Sequence, residues 1–543
     1  MLLPDERRKF LLLTCTDVLV SMADIFFLAG LVWIVQFYSR PDGQPLPAFL
    51  PAWMNNGDSI AIIAVFLVLF AGKNLLAYLA ARAHYAFMGR IAMRISLNNL
   101  AHYQQAPFSE FIQTDSSVHI RRIAFQPFEF SQYLLAGISQ IITQGCLIGL
   151  SVTVLLVFNA KLFLLLLLVF LPPVAIVFYF LRNRLAKARK NLREGNEASF
   201  QHLLDALKGY VEGNIYHRNE FFLQRFTASR GRFSRSLFHS LSLQNLPGRV
   251  IEIFMVLGLL ALIAWVNRAD GDSLVTIGAF MAAAYKIIPG IVKIINIGGQ
   301  LKTHELASRD VSPPVKSKTT TTNGHQRLNS LRAEGLNFAY NGKPILQQCT
   351  LEAKKGDFIG ITGYSGIGKT TLLHLLLGFL QPGDGKIYVN DTLVPASELR
   401  DYWPSIAYVR QQVFLLHDTL GRNVTLEEQE GDRARLIDAL HITGLESWTN
   451  EVPGYMDKII TENGRNISGG QHQRIALARA LYKDADLILL DEPFNELDQS
   501  SVHRLLKHFQ TLAQQGKMVI MVTHDGESLA YCNKIVSLND GSR

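Results

Sequence analysis

The chain has 543 residues, 49% of them hydrophobic and 18% charged, with a net charge of +8; this length exceeds that of one ordinary domain. The excess positive charge lies between apolar segments, where proteins crossing a bilayer keep their Lys and Arg, and this excludes a nucleic-acid partner. Four cysteines (Cys15, Cys146, Cys349 and Cys532) without any CxxC spacing exclude a disulfide framework and a thiolate metal site.

Taken in chain order, the first 310 residues are dominated by apolar runs. A bilayer core needs roughly 20 apolar residues per helix. Runs of that kind are Phe10–Phe37, Ser59–Ala81, Ser131–Phe158, Leu162–Leu181, Leu246–Val266 and Leu274–Ile297. Asn159-Ala160-Lys161 makes a tight hairpin of the third and fourth, and Pro172-Pro173 predicts a kink in the fourth. The first run follows Arg7, Arg8 and Lys9 as a signal peptide would. It is too long for one, carries Asp17 and Asp24, and shows no small-residue cleavage site, so it reads as a retained helix.

Orientation follows from the placement of Lys and Arg. Arg82, Arg90, Arg94, Arg121 and Arg122 separate the second and third runs, and a dozen Lys and Arg between Arg182 and Arg235 separate the fourth and fifth. The opposite connections hold only Arg40, Lys161 and Arg268. Both termini and both long connections are therefore expected on the cytoplasmic side. The connections contain few helix breakers and read as helices projecting from the membrane. The expected organisation is a six-helix domain over residues 1–310, a linker over 311–329 and a second domain over 330–543. The linker carries Pro313-Pro314 and the run Thr319–Thr322 without periodicity.

Beyond Leu331 the signals are chemical. Gly363-Tyr364-Ser365-Gly366-Ile367-Gly368-Lys369-Thr370 fits GxxxxGK[ST], between the strand-like Asp357–Thr362 and the helical Thr371–Leu377. In that context the glycines let backbone N–H groups close around phosphate oxygens at a helix N-terminus. Lys369 supplies a charge to the β/γ-phosphates and Thr370 a ligand for Mg²⁺. A second apolar strand, Leu487–Leu490, ends in Asp491-Glu492, which puts two carboxylates where open α/β sheets bind ligands. Asp491 is suited to hold Mg²⁺, and Glu492 to polarise an attacking water.

Ile467-Ser468-Gly469-Gly470-Gln471, followed by Gln473-Arg474 and the helical Ala476–Leu481, resembles the signature motif of the ATP-binding cassette superfamily. With the motifs in the family's order over nearly the whole chain, the sequence is similar to an exporter-type half-transporter. The resemblance implies a multidomain membrane protein. Its expected parts are an all-α six-helix transmembrane domain with long cytoplasmic helix extensions and an α/β P-loop NTPase cassette with a helical subdomain. It implies ATP and Mg²⁺ as cofactors. Catalysis would fall to Glu492, His524 (the switch histidine), Lys369 and Gln411 (the Q-loop glutamine). ATP would be held by Tyr340 against adenine, by Gly363, Ser365, Gly366, Gly368, Lys369, Thr370 and Thr371, and by Ser468, Gly470, Gln471 and Asp498. Mg²⁺ would be held by Thr370, Gln411 and Asp491. The family's pattern is broken by Arg410, which replaces a common proline, by Asn495-Glu496, which replaces small residues, and by Ile467, which replaces a leucine.

In the family two cassettes associate head to tail, so a second half-transporter is expected, most simply a second copy of this chain. Two cytoplasmic turns, around Phe108-Ser109-Glu110-Phe111 and Asn214-Ile215-Tyr216-His217-Arg218, resemble the coupling helices of exporters. The expected setting is a bacterial inner membrane with the cassette in the cytoplasm. The run Phe280–Pro289 and the stretch from Pro107 to Ser117 are similar to those of lipid-linked oligosaccharide flippases. This points to ATP-driven export or flipping of such a lipid, or of another amphipathic lipid. No peptidase-like segment precedes the first run, which disfavours a leader-cleaving peptide exporter. The alternatives are a peptide or small-molecule exporter, or an ATP-gated sensor or channel. Charges inside spans are functional candidates. Lys73 and Lys286 either meet an anionic headgroup or pair with Asp17, Asp24 or Glu252 to hold helices together.

Overall fold

In a computed structural model of the chain, the described residues are 2–39, 61–108, 110, 114–158, 164, 168, 172, 175, 179–180, 191–192, 194–266, 287–301, 327–340, 342–428, 431–446, 455–461 and 464–538. They divide into two compact units, one of 1–106 with 113–316 and one of 107–112 with 317–543. The kink predicted at Pro172-Pro173, most of the fourth and sixth apolar runs, and nearly all of the 311–329 segment lie outside the described residues.

The first unit is helical. Helix α1 (Pro4–Ser39) covers the first apolar run, and α2 (Ala61–Gln105) covers the second and continues past it. At 45 residues α2 is about twice the length a bilayer core needs. The helix of the third run extends back into the preceding connection, as the scarcity of breakers there predicts. A helix beginning at Ser116–Ile120 passes through two π-helical stretches, Arg121–Phe125 and Phe130–Leu135, into α3 (Ala136–Phe158). Helices α4 (Tyr210–Ile215) and α5 (Asn219–Val266) follow, then α6 (Ile287–Leu301). Among the described residues three helices are long and apolar enough to cross a membrane, over Pro4–Phe27, Ile62–Gln105 and Ser116–Thr153.

α1 packs on α2 and α3, and Phe10 of α1 is buried with Phe87, Met88, Ile91 and Ile95 of α2 and with Phe130 of the second π-helical stretch. Bulky side chains on the far faces, such as Phe26, Val68 and Leu76, are exposed, as a lipid-facing surface requires. Small residues let α6 approach α3. A Cβ at Gly290 would come within 3.1 Å of Gln144 and Ile148, and one at Gly137 within 3.0 Å of Ile297.

Several charges within these helices are paired. The Lys73 ammonium is bonded to Asp24 and lies 4.8 Å from the centre of the Phe70 ring and 5.8 Å from that of Phe27. Asp17 meets His84 Nδ1 at 2.7 Å and accepts from the Ser139 hydroxyl at 3.3 Å. Arg94 grips Glu6 with two N–H groups, at 2.7 and 2.9 Å. Glu252 pairs with Arg249 at 3.2 Å on an exposed face of α5. Lys286 lies outside the described residues.

Beside a small antiparallel pair, β7 (Asp418–Thr419) with β8 (Ile459–Ile460), the second unit has two main sheets among its described residues. One is antiparallel, with β1 (Ser330–Tyr340), β2 (Lys343–Lys354), β4 (Asp384–Val389) and β5 (Thr392–Leu393) in the order β2-β1-β4-β5. The other is parallel, in the order β11-β3-β10-β9-β6. It comprises β3 (Phe358–Thr362), β6 (Ile406–Val409), β9 (Leu487–Asp491), β10 (Met518–Val522) and β11 (Lys534–Ser537). The central strands β9 and β10 are buried at every position, which explains their unbroken apolar sequence. Covering helices are α7 (Lys369–Leu376), α8 (Leu420–Thr425), α9 (Arg433–Thr443), α10 (Gly469–Tyr482), α11 (Gln499–Gln514) and the short α12 (Gly526–Leu529).

The short piece 107–112 belongs to this unit although it is remote in sequence. The Phe108 ring stacks on Phe379 (centroids 4.7 Å apart, planes at 22°) and meets His374 edge-on at 5.0 Å. Burial, helped by the charge of Arg410, pushes the His374 imidazole down to about 4, so at neutral pH Phe108 packs on an uncharged ring. The other turn named in the sequence forms α4 and ends at His217, whose φ is +52°.

Candidate functional site

Four loops leave the carboxyl ends of adjacent parallel strands, the place where such sheets bind ligands. The loop after β3 is Gly363–Thr370. Gly363, Gly366 and Gly368 have φ of +155°, +81° and +106°. At Gly368 a side chain is excluded twice, by φ and by Ile345, which would lie 2.8 Å from a Cβ. Gly368 caps α7, so the loop ends on a helix N-terminus. The Lys369 side chain turns back and donates to the carbonyls of Gly363 (2.9 Å) and Tyr364 (3.2 Å). It is 9% exposed, a cation held inside the loop.

The loop after β9 brings the carboxylates. Asp491 is buried and accepts from the Thr370 hydroxyl at 2.9 Å. Burial raises its pKa, opposed by the Thr370 hydrogen bond and the charge of Lys369. A buried carboxylate beside a threonine hydroxyl is a donor set suited to a hard divalent cation, which would offset the cost of burying the charge. Tyr408 on β6 is a neighbour that the motif reading missed. Burial, and then the nearby charge of Asp491, raise the pKa of its hydroxyl, which lies 3.5 Å from His374 Nε2.

Glu492 takes φ +48°, a left-handed conformation that costs a non-glycine residue about 1–2 kcal/mol. Its backbone N–H is anchored to Val522 O of β10 at 3.0 Å. Its Oε2 accepts from Gln411 Nε2 at 2.7 Å and from Asn495 Nδ2 at 3.0 Å. Its Oε1 lies 4.0 Å from His524 Nδ1. Gln411, in the loop after β6, spends its amide N–H on Glu492 and keeps its carbonyl oxygen for another partner. Thus Lys369, Thr370, Gln411, Asp491, Glu492 and His524 gather in one place.

The remaining predicted residues stand elsewhere or face otherwise. Tyr340 is at the end of β1, 42% exposed, its ring edge-on to Phe338 at 4.8 Å. Thr371 is buried inside α7, whereas Ser365 lies exposed in the loop. Ser468 caps α10 in a reciprocal box with Gln471: Ser468 N–H donates to Gln471 Oε1 at 2.8 Å, and Gln471 N–H to Ser468 Oγ at 3.4 Å. The Gln471 side chain is therefore committed to its own helix start. Gly469 and Gly470 lie under Glu496, whose carbonyl oxygen would sit 2.8 Å from a Cβ at Gly470. Asp498 caps α11 and bonds Arg474 at 2.8 Å, and hydrogen bonds from Ser500 and Ser501 hold its carboxyl far below the usual range. Among the described residues no hydrogen bond joins Ser468 or Gly470 to the 363–370 loop.

Residues 11–282 match the family model described as the ABC transporter transmembrane region, and residues 346–495 match that described as ABC transporter. A protein of Dechloromonas aromatica named ATP-dependent lipid A-core flippase is 25% identical over 505 residues, covering 89% of this chain and 83% of that protein. A protein of the same name from Nitrosococcus oceani is 26% identical over 387 residues; the match spans 69% of this chain and 65% of its length. A probable ABC transporter ATP-binding/permease protein of Haemophilus influenzae is 33% identical over 215 residues, covering 39% of each chain. Among solved structures, a bacterial Atm1-family ABC exporter with ATP bound superposes with a TM-score of 0.78, at 17% identity, over 99% of this chain and 94% of that one.

Proposed function

The chain belongs to the ABC transporter family, and from that premise we propose that it is an ATP-hydrolysing half-transporter that moves an amphipathic lipid across the membrane in which its helices sit. The observation that carries the reading is the meeting of Lys369, Thr370, Asp491, Glu492, Gln411 and His524 at the carboxyl ends of β3, β9, β6 and β10. The cargo is inferred from the relatives named as lipid A-core flippases, and a lipid-linked oligosaccharide fits the same class.

In the mechanism we infer, the glycine loop and the start of α7 cradle the ATP phosphates, and Lys369 meets the β/γ oxygens. Thr370, Asp491 and the free carbonyl of Gln411 are the residues that would hold Mg²⁺, which supplies charge neutralisation at the phosphates. Glu492 Oε1 orients the attacking water and takes its proton, while His524 approaches the γ-phosphate. The capped start of α10, with Ser468 and Gly470, offers N–H groups to an anion. Because it is not bonded to its own phosphate loop, it is assigned to the ATP of a second cassette. A second copy of this chain supplies that cassette most simply. The Lys/Arg asymmetry supports a cytoplasmic cassette, and the bacterial relatives support an inner-membrane setting.

The test is ATP turnover of the chain in nanodiscs, titrated with a membrane lipid extract and, separately, with a peptide fraction. Stimulation by lipid alone is expected; stimulation by peptide alone would replace the lipid reading. The same titration decides the role of Lys73. If its pairing with Asp24 only holds α1 to α2, Lys73→Gln keeps the fold-stimulation of the parent. A headgroup contact predicts that stimulation is lost while unstimulated turnover persists.

A further inference from the structure

Asn495 lies in the turn after Glu492, and the structure places its amide on the carboxylate of Glu492. We infer that Asn495 is a positioning residue for ATP hydrolysis: it fixes which oxygen of Glu492 is free to receive the water proton. The inference rests on the reading of Glu492 as the group that activates water.

The geometry supports this in three steps. First, the backbone does not hold the carboxylate by local preference. Glu492 sits at φ +48°, a backbone conformation that a non-glycine residue keeps only where its surroundings fix it. Second, two amides from different loops converge on one oxygen. Gln411 Nε2 at 2.7 Å and Asn495 Nδ2 at 3.0 Å both donate to Oε2. An amide oxygen in either place would face a carboxylate oxygen, so electrostatics fixes both amides with N–H inward. Third, Oε2 is thereby occupied, and Oε1, on the side of His524 at 4.0 Å, is left for the water. Gln411 has a second task, because its carbonyl is the one available to a cation. Asn495 has no such division. It lies three residues beyond Glu492, across the turn of Pro493 and Phe494, so its hold does not depend on the loop after β6. Asn495 is itself exposed, so its substitution leaves the core untouched.

The test measures ATP turnover of the full chain in nanodiscs for Asn495→Ala, Asn495→Asp and Asn495→Ser, each also combined with Glu492→Gln. Loss of a hydrogen bond to a charged group predicts that Asn495→Ala lowers kcat roughly tenfold, with KM for ATP within about twofold of the parent. Asn495→Asp, which keeps the shape and removes the donor, is expected to lose at least as much, and Asn495→Ser, which restores a short donor, to recover part of the rate. In the Glu492→Gln background Asn495→Ala is expected to add nothing. A parent-like kcat for Asn495→Ala, or full activity of Asn495→Asp, would overturn the inference, since shape alone would then suffice. If instead Glu492→Gln turns over like the parent, the assignment of Glu492 fails, and the inference falls with it in a distinguishable way.

Discussion

Glu492→Gln is expected to lower ATP turnover by about 10²–10³-fold while leaving ATP binding intact, the loss typical of removing a positioned general base. The substitution keeps length and shape but removes the charge that draws a proton from water. It also disturbs the cluster, because Gln411 and Asn495 both direct N–H groups at Oε2. A glutamine amide can accept those bonds on one atom only and then presents its NH₂ where the water should be. Lys369 and the glycine loop are untouched, so nucleotide affinity stays close to that of the parent. Turnover and nucleotide binding, measured on the same preparation, check the split between the two. A variant that hydrolyses ATP within a few-fold of the parent would show that another group activates the water.

Lys369→Ala is expected to weaken ATP binding by about 100-fold, and turnover at ordinary ATP concentrations falls with it. Hydrogen bonds to charged groups are worth about 1.5–3 kcal/mol each, and the ammonium of Lys369 is positioned to make more than one. The Lys369 ammonium is held by the Gly363 and Tyr364 carbonyls inside the loop, so its orientation exists before the phosphates arrive. Equilibrium binding of a fluorescent ATP analogue measures the effect, and thermal unfolding without nucleotide serves as a control for folding. Unchanged affinity in a folded variant would remove Lys369 from the phosphate site.

The phosphate loop was legible because its chemistry is written in glycine. The φ values of Gly363, Gly366 and Gly368 demand that residue, and the spacing to Lys369 follows. Asp491 was legible because a fully buried parallel strand must be apolar until it reaches the carboxyl end of the sheet. Asn495 was not legible as a member of the site. Its contact depends on the turn after Glu492 folding back over the carboxylate, and no local pattern encodes that turn. The motif points Gln471 at nucleotide, yet its side chain closes the capping box with Ser468. The same residues that announce the signature also satisfy a helix start. In the membrane helices hydropathy located the runs but not their ends. α2 and the segment from Ser116 continue as helix well into polar sequence, where no Gly or Pro cluster stops them. Hydropathy also left open which acid meets Lys73. The register of α1 against α2 gives it Asp24, sends Asp17 to His84, and leaves Glu252 to its own helix neighbour Arg249.

The most direct test of the account is transbilayer movement itself. The chain is reconstituted into vesicles with a fluorescent glycolipid of the inferred class, and its accessibility to a membrane-impermeant quencher is followed after addition of ATP and Mg²⁺. The account predicts an ATP-dependent shift of the glycolipid between leaflets for the parent and none for Glu492→Gln. Steady ATP hydrolysis by the parent with no movement of the glycolipid beyond that seen with Glu492→Gln would contradict it.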